Sequence, residues 1–347
     1  MKARALSRLC WLKGPLNKAA TLLWSGVLTA AAYAAPALQT HDAQRVDVPS
    51  LDRHGGAPLL LPGYWFTSGW VAGSARPALG ADSARPALVL LHGCSGVFGR
   101  SLQLAERYTE LASRLAELGV QALVLDSLTP RGERELCTQR TGTRRVTQLQ
   151  RRRDALGALQ WLAAQPGVDS TRLGLLGWSN GGSTVLAATN GTHAEVARAA
   201  VKPSLAVAFY PGCVAERDRG YQPVAPLLML LGEADDWTPA GPCKELAAAA
   251  RGHTPPQWQS YEGAHHGFDG TAAVRFRADV PNGAPGQGGV HVGGQALARG
   301  LAAQRLHDFL RAQWQLAPAA VPGSVPAVSP APRSTSTSTP PEPRTGT

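Results

Sequence analysis

The chain has 347 residues, of which 44% are hydrophobic and 17% carry a charge. This length suits one large α/β domain or two smaller ones, and it excludes a small scaffold held together by disulfides. The formal net charge of +10 suggests an anionic partner such as nucleic acid or a membrane surface, unless the basic residues are concentrated in a separate segment.

Residues 1–34 predict a secretory signal peptide. The segment carries five basic residues and no acidic one, and it contains an apolar run from Ala19 to Ala34 that ends in the small-x-small sequence Ala32-Tyr33-Ala34. The run is shorter than the roughly 20 residues that a spanning helix needs, and an uncleaved membrane anchor is the alternative. Without this segment 29 basic and 24 acidic residues remain, so half of the net positive charge lies in the predicted signal peptide. We expect a periplasmic or secreted protein without stable membrane insertion.

The rest of the chain divides into a lead segment at residues 35–54, a domain at residues 55–316 and a tail at residues 317–347. Residues 40–85 are expected to supply strands at the edge of a sheet. The tail consists mainly of Pro, Ser, Thr and Ala, which bury too little apolar surface to offset the entropy of ordering. We expect it to be disordered.

Within the domain, short apolar runs alternate with longer amphipathic segments. The predicted strands are 86–91, 120–125, 172–176, 205–210 and 227–231, with a weaker strand at 257–261. The predicted helices are 101–118, 147–164, 180–189, 241–250 and 295–315. This alternation predicts the α/β class, with a mostly parallel central sheet and helices on both faces.

A basic cluster formed by Arg144, Arg145 and residues 151–153 lies at the start of the second predicted helix. No aromatic residues suited to base stacking accompany it, so a solvated helix start is favoured over a nucleic-acid patch. His92 and the pair His265-His266 lack partners at metal-ligand spacing, so neither a metal site nor a cofactor is expected.

Ligands bind beyond the carboxyl ends of the strands in open parallel sheets, so the residues that follow each strand carry the functional information. Residues 177–181 have the form G-x-S-x-G between a predicted strand and a small-residue helix. Such a turn exposes a serine hydroxyl above the sheet, which makes Ser179 the candidate nucleophile. The alternative is a glycine-rich turn with an inert serine.

A serine nucleophile needs a base to take its proton and an acid to orient that base. Two later loops supply them in the order serine, acid, histidine. Asp235 or its neighbour Asp236 is the candidate acid, and His265 or His266 is the candidate base. Residue type and position in the loop do not decide between the two aspartates or between the two histidines.

The negative oxygen that forms on attack needs backbone N–H donors. One candidate donor is Asn180, which follows the nucleophile at the start of a helix. The second is Cys94 in the loop after the first strong strand, where Gly93 permits a tight turn.

Together these loops resemble the dienelactone hydrolase family of the α/β-hydrolase fold, over roughly residues 55–316. The resemblance rests on the turn at 177–181, the loop at 232–239, the loop at 264–268 and the loop at 91–96. It implies Asp235 as the acid, His266 as the base and residues 91–96 as the oxyanion loop. Founding members use a cysteine nucleophile, so Ser179 favours a general serine esterase over dienelactone cleavage.

Four cysteines follow the predicted signal peptide, and sequence alone leaves three possible connectivities. All four follow strands and so lie at one edge of the sheet. The strand order usual for the resembled fold implies that Cys94 pairs with Cys137 and Cys213 with Cys243. Four buried free thiols are the alternative, which the expected oxidising compartment disfavours.

We therefore expect a serine hydrolase that cleaves carboxylic esters, lactones included, through an acyl-enzyme, on a small-molecule or polymeric substrate. The alternatives are a prolyl oligopeptidase-like serine peptidase and a non-catalytic binding protein with the same fold. Trp178, Trp237 and Phe98 are candidates for an apolar pocket, although core packing is the commoner role of such residues. Residues 269–294 form either a lid or irregular surface, and the sequence indicates no oligomeric state.

Overall fold

The computed structural model of the protein describes residues 43–67, 84–252, 254–284 and 288–316. The predicted signal peptide and the predicted tail lie outside the described residues. None of the helices in these ranges is both long and apolar enough to cross a membrane.

An eight-stranded sheet in the order β1-β2-β4-β3-β5-β6-β7-β8 forms the centre of the protein. Strands β3 to β8 run parallel, whereas β1 pairs antiparallel with β2 and β2 antiparallel with β4. The strands are β1 (Gln44–His54), β2 (Ala57–Phe66), β3 (Arg85–Leu91), β4 (Gln121–Leu125), β5 (Val168–Trp178), β6 (Leu205–Phe209), β7 (Leu227–Gly232) and β8 (Gln257–Tyr261). A separate hairpin contains β9 (Arg275–Arg277) and β10 (Val290–Val292).

Helices cover both faces of the sheet because successive strand residues point to opposite sides. The helices are α1 (Glu106–Glu117), α2 (Gln148–Ala163), α3 (Asn180–Thr189), α4 (Ala194–Ala197), α5 (Val214–Arg219), α6 (Ala240–Ala249) and α7 (Ala296–Trp314). Val89 and Leu91 of β3 belong to the hydrophobic cluster that includes α2, α3 and α6. Leu88 and Leu90 belong to the opposite cluster, which includes α1 and α7. The predicted mostly parallel sheet with two helical layers is confirmed.

Two boundaries differ from the predictions. The first predicted helix, 101–118, begins only at Glu106, because Leu102 has a positive φ of 59° and Phe98 forms a β-bridge with Leu104. Strand β1 lies in the predicted lead segment, as expected for edge strands from residues 40–85, so the main sheet begins at Gln44, eleven residues before the proposed start of the domain. Strand β1 packs against α2 as well as β2.

The basic cluster at the start of α2 is not the solvated surface that the sequence favours. Arg151 is fully buried and Arg152 is only 8% exposed. Arg152 and Arg153 both pair with Glu195, which lies 42 or more residues further along the chain. Only Arg145 remains largely exposed. A partner so distant in sequence leaves no local signal, which explains the wrong prediction.

Candidate active site

Ser179 lies in the sharp turn between β5 and α3. Its backbone has φ 54° and ψ −117°, a conformation that is strained for a residue with a side chain. The turn is possible because Gly177 and Gly181 leave room for the backbone to fold back: a Cβ on Gly177 would overlap the carbonyl group of Gly181, and a Cβ on Gly181 would overlap the carbonyl oxygen of Leu91. The serine side chain is thereby presented at the carboxyl edge of the sheet.

The structure brings Ser179 together with Asp235 and His266, which follow β7 and β8. His266 Nε2 lies 2.8 Å from Ser179 Oγ, and His266 Nδ1 lies 2.8 Å from Asp235 Oδ2. All three residues are at most 9% exposed. In the tautomer with a proton on Nδ1, His266 donates to Asp235 and accepts the serine proton on Nε2. This arrangement can activate a hydroxyl nucleophile.

Backbone and hydroxyl donors hold the Asp235 carboxylate in place. Its Oδ1 accepts hydrogen bonds from the backbone N–H groups of Trp237, at 2.9 Å, and Thr238, at 2.8 Å. The Thr238 hydroxyl, which has one proton to donate, lies between two acceptors, Asp235 Oδ2 at 3.0 Å and the carbonyl oxygen of Tyr210 at 2.9 Å. The acid is therefore fixed by its own loop.

The neighbouring candidates make other contacts. Asp236 binds His291 in β10: its Oδ2 lies 2.7 Å from His291 Nδ1, and its Oδ1 accepts the His291 backbone N–H at 2.9 Å. Burial raises the pKa of Asp236, but these hydrogen bonds from His291 outweigh burial and lower it below its usual value. His265 Nδ1 lies 2.9 Å from the carbonyl oxygen of Ala234. Neither Asp236 nor His265 reaches Ser179 by a hydrogen bond.

Residues 269–294, for which the sequence leaves a lid or irregular surface open, contain the β9–β10 hairpin. Val292 forms a bridge with His266, and the Gly293 N–H donates to the His266 carbonyl oxygen at 3.0 Å. The Asn282 side chain accepts from the backbone N–H of Thr141 and donates to the carbonyl oxygen of Gln139. The hairpin is thus bonded to the loop at 264–268 that carries His266 (the base loop), through Asp236 to the loop at 232–239 that carries Asp235 (the acid loop), and to the chain after β4.

The predicted oxyanion donors lie beside the nucleophile. A Cβ on Gly93 would be 3.7 Å from Ser179 Cβ, so the loop after β3 passes directly by the serine. The Cys94 N–H donates to no protein acceptor among the described residues, and Asn180 is the first residue of α3, where an N–H lacks an intrahelical acceptor. Both donors are free to bind an oxygen at Ser179.

His92 supports this loop from inside the protein. It is fully buried, its Nδ1 lies 2.7 Å from the Gly93 carbonyl oxygen, and its Nε2 accepts the Ser127 N–H at 3.2 Å. Burial and then the charge of Arg151 hold the pKa of His92 well below its usual value. His92 is therefore neutral and structural. Among the described residues, no three His, Cys, Asp or Glu side chains are grouped so that they can hold a metal.

Two disulfides fasten the loops of the site. Cys94 is bonded to Cys137, and Cys213 to Cys243, which are the pairs that the strand order implies. The first joins the oxyanion loop to the chain after β4. The second joins the loop after β6 to α6, which follows the acid loop.

A polar network beside the triad has no sequence motif and escaped prediction. Asp269, three residues after His266, accepts hydrogen bonds from Trp178 Nε1 at 2.9 Å and from the Tyr210 hydroxyl at 2.6 Å. Arg107 donates to the Tyr210 hydroxyl at 2.6 Å and lies 3.4 Å from Asp269. Burial raises the pKa of Tyr210 well above its usual value, so its hydroxyl keeps the proton that it donates. Through Trp178 and Asp269 the network connects the base loop to residues 177–181, the turn that carries Ser179 (the nucleophile turn).

Two cavities of about 500 Å³ each meet at Ser179 and share Cys94 and Trp237 in their walls. The first, the histidine-side cavity, is also lined by His266 and Thr271. The second, the glutamine-side cavity, is also lined by Gln148 and Val214.

The predicted pocket aromatics differ in their surroundings. Trp237 borders both cavities. Trp178 is 3% exposed and belongs to the core, although it also lines the histidine-side cavity. Phe98 packs edge-on against Tyr64 and lines neither cavity.

Solved structures with a similar fold include esterases. Thermogutta terrifontis esterase 2 phosphorylated by paraoxon has a TM-score of 0.51 and 18% identity, covering 81% of this chain and 97% of that one. The propionate-bound form of the same esterase has a TM-score of 0.51 and 17% identity, and the match covers 81% of this chain and 97% of that one. The dienelactone hydrolase-like promiscuous phosphotriesterase P91 from metagenomic libraries has a TM-score of 0.51 and 19% identity, and the match covers 80% of this chain and 99% of that one. The fold is therefore that of the α/β hydrolases.

The sequence defines the family within that class. Residues 75–311 match the dienelactone hydrolase family, and the chain belongs to it. No curated protein matches the sequence. As a family member with a serine at the nucleophile turn, the protein is a serine hydrolase of carboxylic esters.

The close approach at Gly181 can be tested against a glycine with free space. Gly181→Ala should lower the free energy of unfolding by about 2–4 kcal/mol, because the new methyl group meets backbone that cannot yield. Gly300→Ala in α7, where a Cβ meets nothing within 4 Å, should raise it by about 1 kcal/mol. Urea unfolding measures both changes. A Gly181→Ala variant as stable as wild type would contradict the described packing.

Proposed function

We propose that the protein hydrolyses carboxylic esters with Ser179 as nucleophile, His266 as general base and acid, and Asp235 as the residue that orients His266. The observation that carries the proposal is the unbroken pair of 2.8 Å contacts from Ser179 Oγ through His266 to Asp235. No other aspartate and histidine among the described residues make such a connection to a serine at a strained turn.

The reaction then proceeds in two halves. Ser179 Oγ attacks the ester carbonyl while His266 Nε2 takes its proton, and the N–H groups of Cys94 and Asn180 bind the oxygen that becomes negative. His266 returns the proton to the departing alcohol, which leaves an acyl group on Ser179. Water gives a proton to His266 Nε2 and attacks the acyl carbonyl, and the bond between the acyl group and Ser179 Oγ breaks. His266 returns that proton to Ser179 Oγ, which releases the carboxylic acid and restores the free enzyme. Asp235 stays ionised and stabilises the imidazolium at each step.

Variants of the three residues test this mechanism with p-nitrophenyl acetate. Ser179→Ala should lower kcat by about a million-fold and Asp235→Asn by about ten thousand-fold, because the first loses the nucleophile and the second the tautomer and charge that His266 needs. Asp236→Asn should stay within about tenfold of wild type, because Asp236 binds the hairpin instead.

Two results would reject the triad assignment. One is Ser179→Ala activity within tenfold of wild type, and the other is a larger loss for Asp236→Asn than for Asp235→Asn. A fluorophosphonate probe separates the remaining classes, since a binding protein on this fold would not react with it. A panel of peptides and esters then distinguishes a peptidase from an esterase.

The two cavities indicate where each half of the ester binds. The leaving oxygen must lie within hydrogen-bond reach of His266 Nε2, because His266 protonates it. His266 lines only the histidine-side cavity, so the alcohol group occupies that cavity. The acyl group extends into the glutamine-side cavity. Since each space has a volume of about 500 Å³, substrates with sizeable groups on both sides of the ester bond fit.

Filling each cavity separately tests this orientation. Val214→Trp should lower kcat/KM about tenfold for p-nitrophenyl octanoate and leave p-nitrophenyl acetate nearly unchanged, because Val214 lines the acyl side and is half exposed. Thr271→Trp should instead lower kcat/KM for naphthyl acetate more than for methyl acetate, because Thr271 lines the cavity assigned to the alcohol group. The opposite pattern would reverse the orientation.

We also propose that the protein is exported. Disulfides persist in oxidising compartments, and the structure has two. The signal-peptide pattern of residues 1–34 supports the same compartment. Intact mass of protein recovered from the periplasm or medium of a bacterial host should correspond to a chain that begins at or near Ala35. Full-length chain confined to the cytosol would reject export.

A further inference from the structure

Arg151 of α2 connects the two loops that supply the oxyanion donors. Its Nη1 donates to the side-chain oxygen of Asn180, and its Nη2 donates to the carbonyl oxygen of His92 at 2.8 Å. Asn180 itself and Cys94, two residues after His92, carry the proposed donors. The N–H donors of a guanidinium group have a fixed planar arrangement, so the two hydrogen bonds of this one side chain fix both loops relative to each other.

The charge of Arg151 is buried without a bonded counterion. The side chain is fully buried, makes no ion pair among the described residues, and its Nε has no hydrogen-bond partner. Asp154, the nearest acid on the same helix, is bonded to Arg131 and Ser50 instead. A buried cation without its own anion destabilises the folded protein.

The groups around Arg151 act on it in both directions. Burial lowers the pKa of Arg151 to about 10, and Arg131 lowers it as well, whereas Asp154, Tyr108 and Asp126 raise it. His92 is also in contact, and it is neutral. Arg151 therefore remains positive at neutral pH, and its charge is incompletely compensated in the resting enzyme.

We propose that Arg151 is a positioning residue of the oxyanion site: it fixes the Asn180 and Cys94 donors in one arrangement and supplies a positive charge whose counterion forms only in the transition state. The negative oxygen at Ser179 arises next to the loops that the guanidinium holds, so the cation is better compensated there than in the resting state. Interactions that strengthen in this way lower the barrier rather than KM. The inference rests on the proposed serine mechanism.

Three variants test it. Arg151→Met removes the charge and both hydrogen bonds, and it should lower kcat about 100-fold with KM within about threefold, as expected for loss of oxyanion stabilisation. Arg151→Lys keeps the charge but cannot donate to both loops from one planar group, and its kcat should be about tenfold below wild type. Arg152→Met is the matched control, because Arg152 is also buried in α2 but pairs with Glu195. It should lose stability and keep kcat.

A trifluoromethyl ketone inhibitor, which forms a tetrahedral adduct with the serine, supplies a readout that a merely structural role would not change. Its affinity should fall by the same factor as kcat in both Arg151 variants. A folded Arg151→Met protein with kcat within threefold of wild type would overturn the inference, as would an equal loss in Arg152→Met. If Arg151→Met does not fold, Arg151→Lys takes its place: a folded Arg151→Lys protein with kcat within threefold of wild type would overturn the inference.

The two proposals fail in different ways. Wild-type protein that neither hydrolyses esters nor reacts with a fluorophosphonate would reject the serine mechanism itself. Active wild-type protein with unaffected Arg151 variants would reject only the role of Arg151.

Discussion

The contact between α3 and the end of β3 is the constraint on which the rest of the site depends. Gly181 lies so close to the Leu91 carbonyl oxygen that no side chain fits there. This contact fixes the nucleophile turn against the oxyanion loop, and it holds Ser179 in a strained backbone conformation. Strain of this kind persists only when the surrounding packing determines it fully, and here the packing is that of the central parallel strands.

The acid and base loops come from other strands, so they need separate connections to reach the same place. Asp269 connects the base loop to the nucleophile turn, and Asp236 connects the acid loop to the β9–β10 hairpin. A disulfide secures each side of the site. Misplacement of a catalytic group by 1 Å can cost about 100-fold in rate, so these connections are as relevant to the proposed chemistry as Ser179, His266 and Asp235 themselves.

The sequence predicts the parallel strands and the long helices well, because their apolar periodicity is strong. It also leads to Ser179 through the strand, turn and helix around it. It leaves Asp235 against Asp236 and His265 against His266 open, since adjacent residues on one loop have the same local pattern. The resemblance to the family favours the residues that the structure places beside Ser179.

Long-range partners account for what sequence reasoning missed. Arg151 reads as a solvated arginine within a basic run, yet it is buried against His92 and Asn180, which lie 59 and 29 residues away. The β9–β10 hairpin has strands of three residues in a Gly-rich and Pro-rich segment, too short for a periodic signal. Asp269 belongs to no motif, and its role depends on Trp178 and Tyr210.

The order of the strands also bears on how the protein loses activity. Ser179 follows a central strand with neighbours on both sides, whereas His266 follows β8, which lies at the edge of the sheet and, among the described strands, pairs only with β7. Three of the five β8 residues are exposed. Edge segments open locally at a lower free energy than the centre of a sheet. The proposed general base is therefore carried by the less protected part of the fold, and we expect heat or denaturant to abolish activity by opening this edge while Ser179 remains folded in its turn.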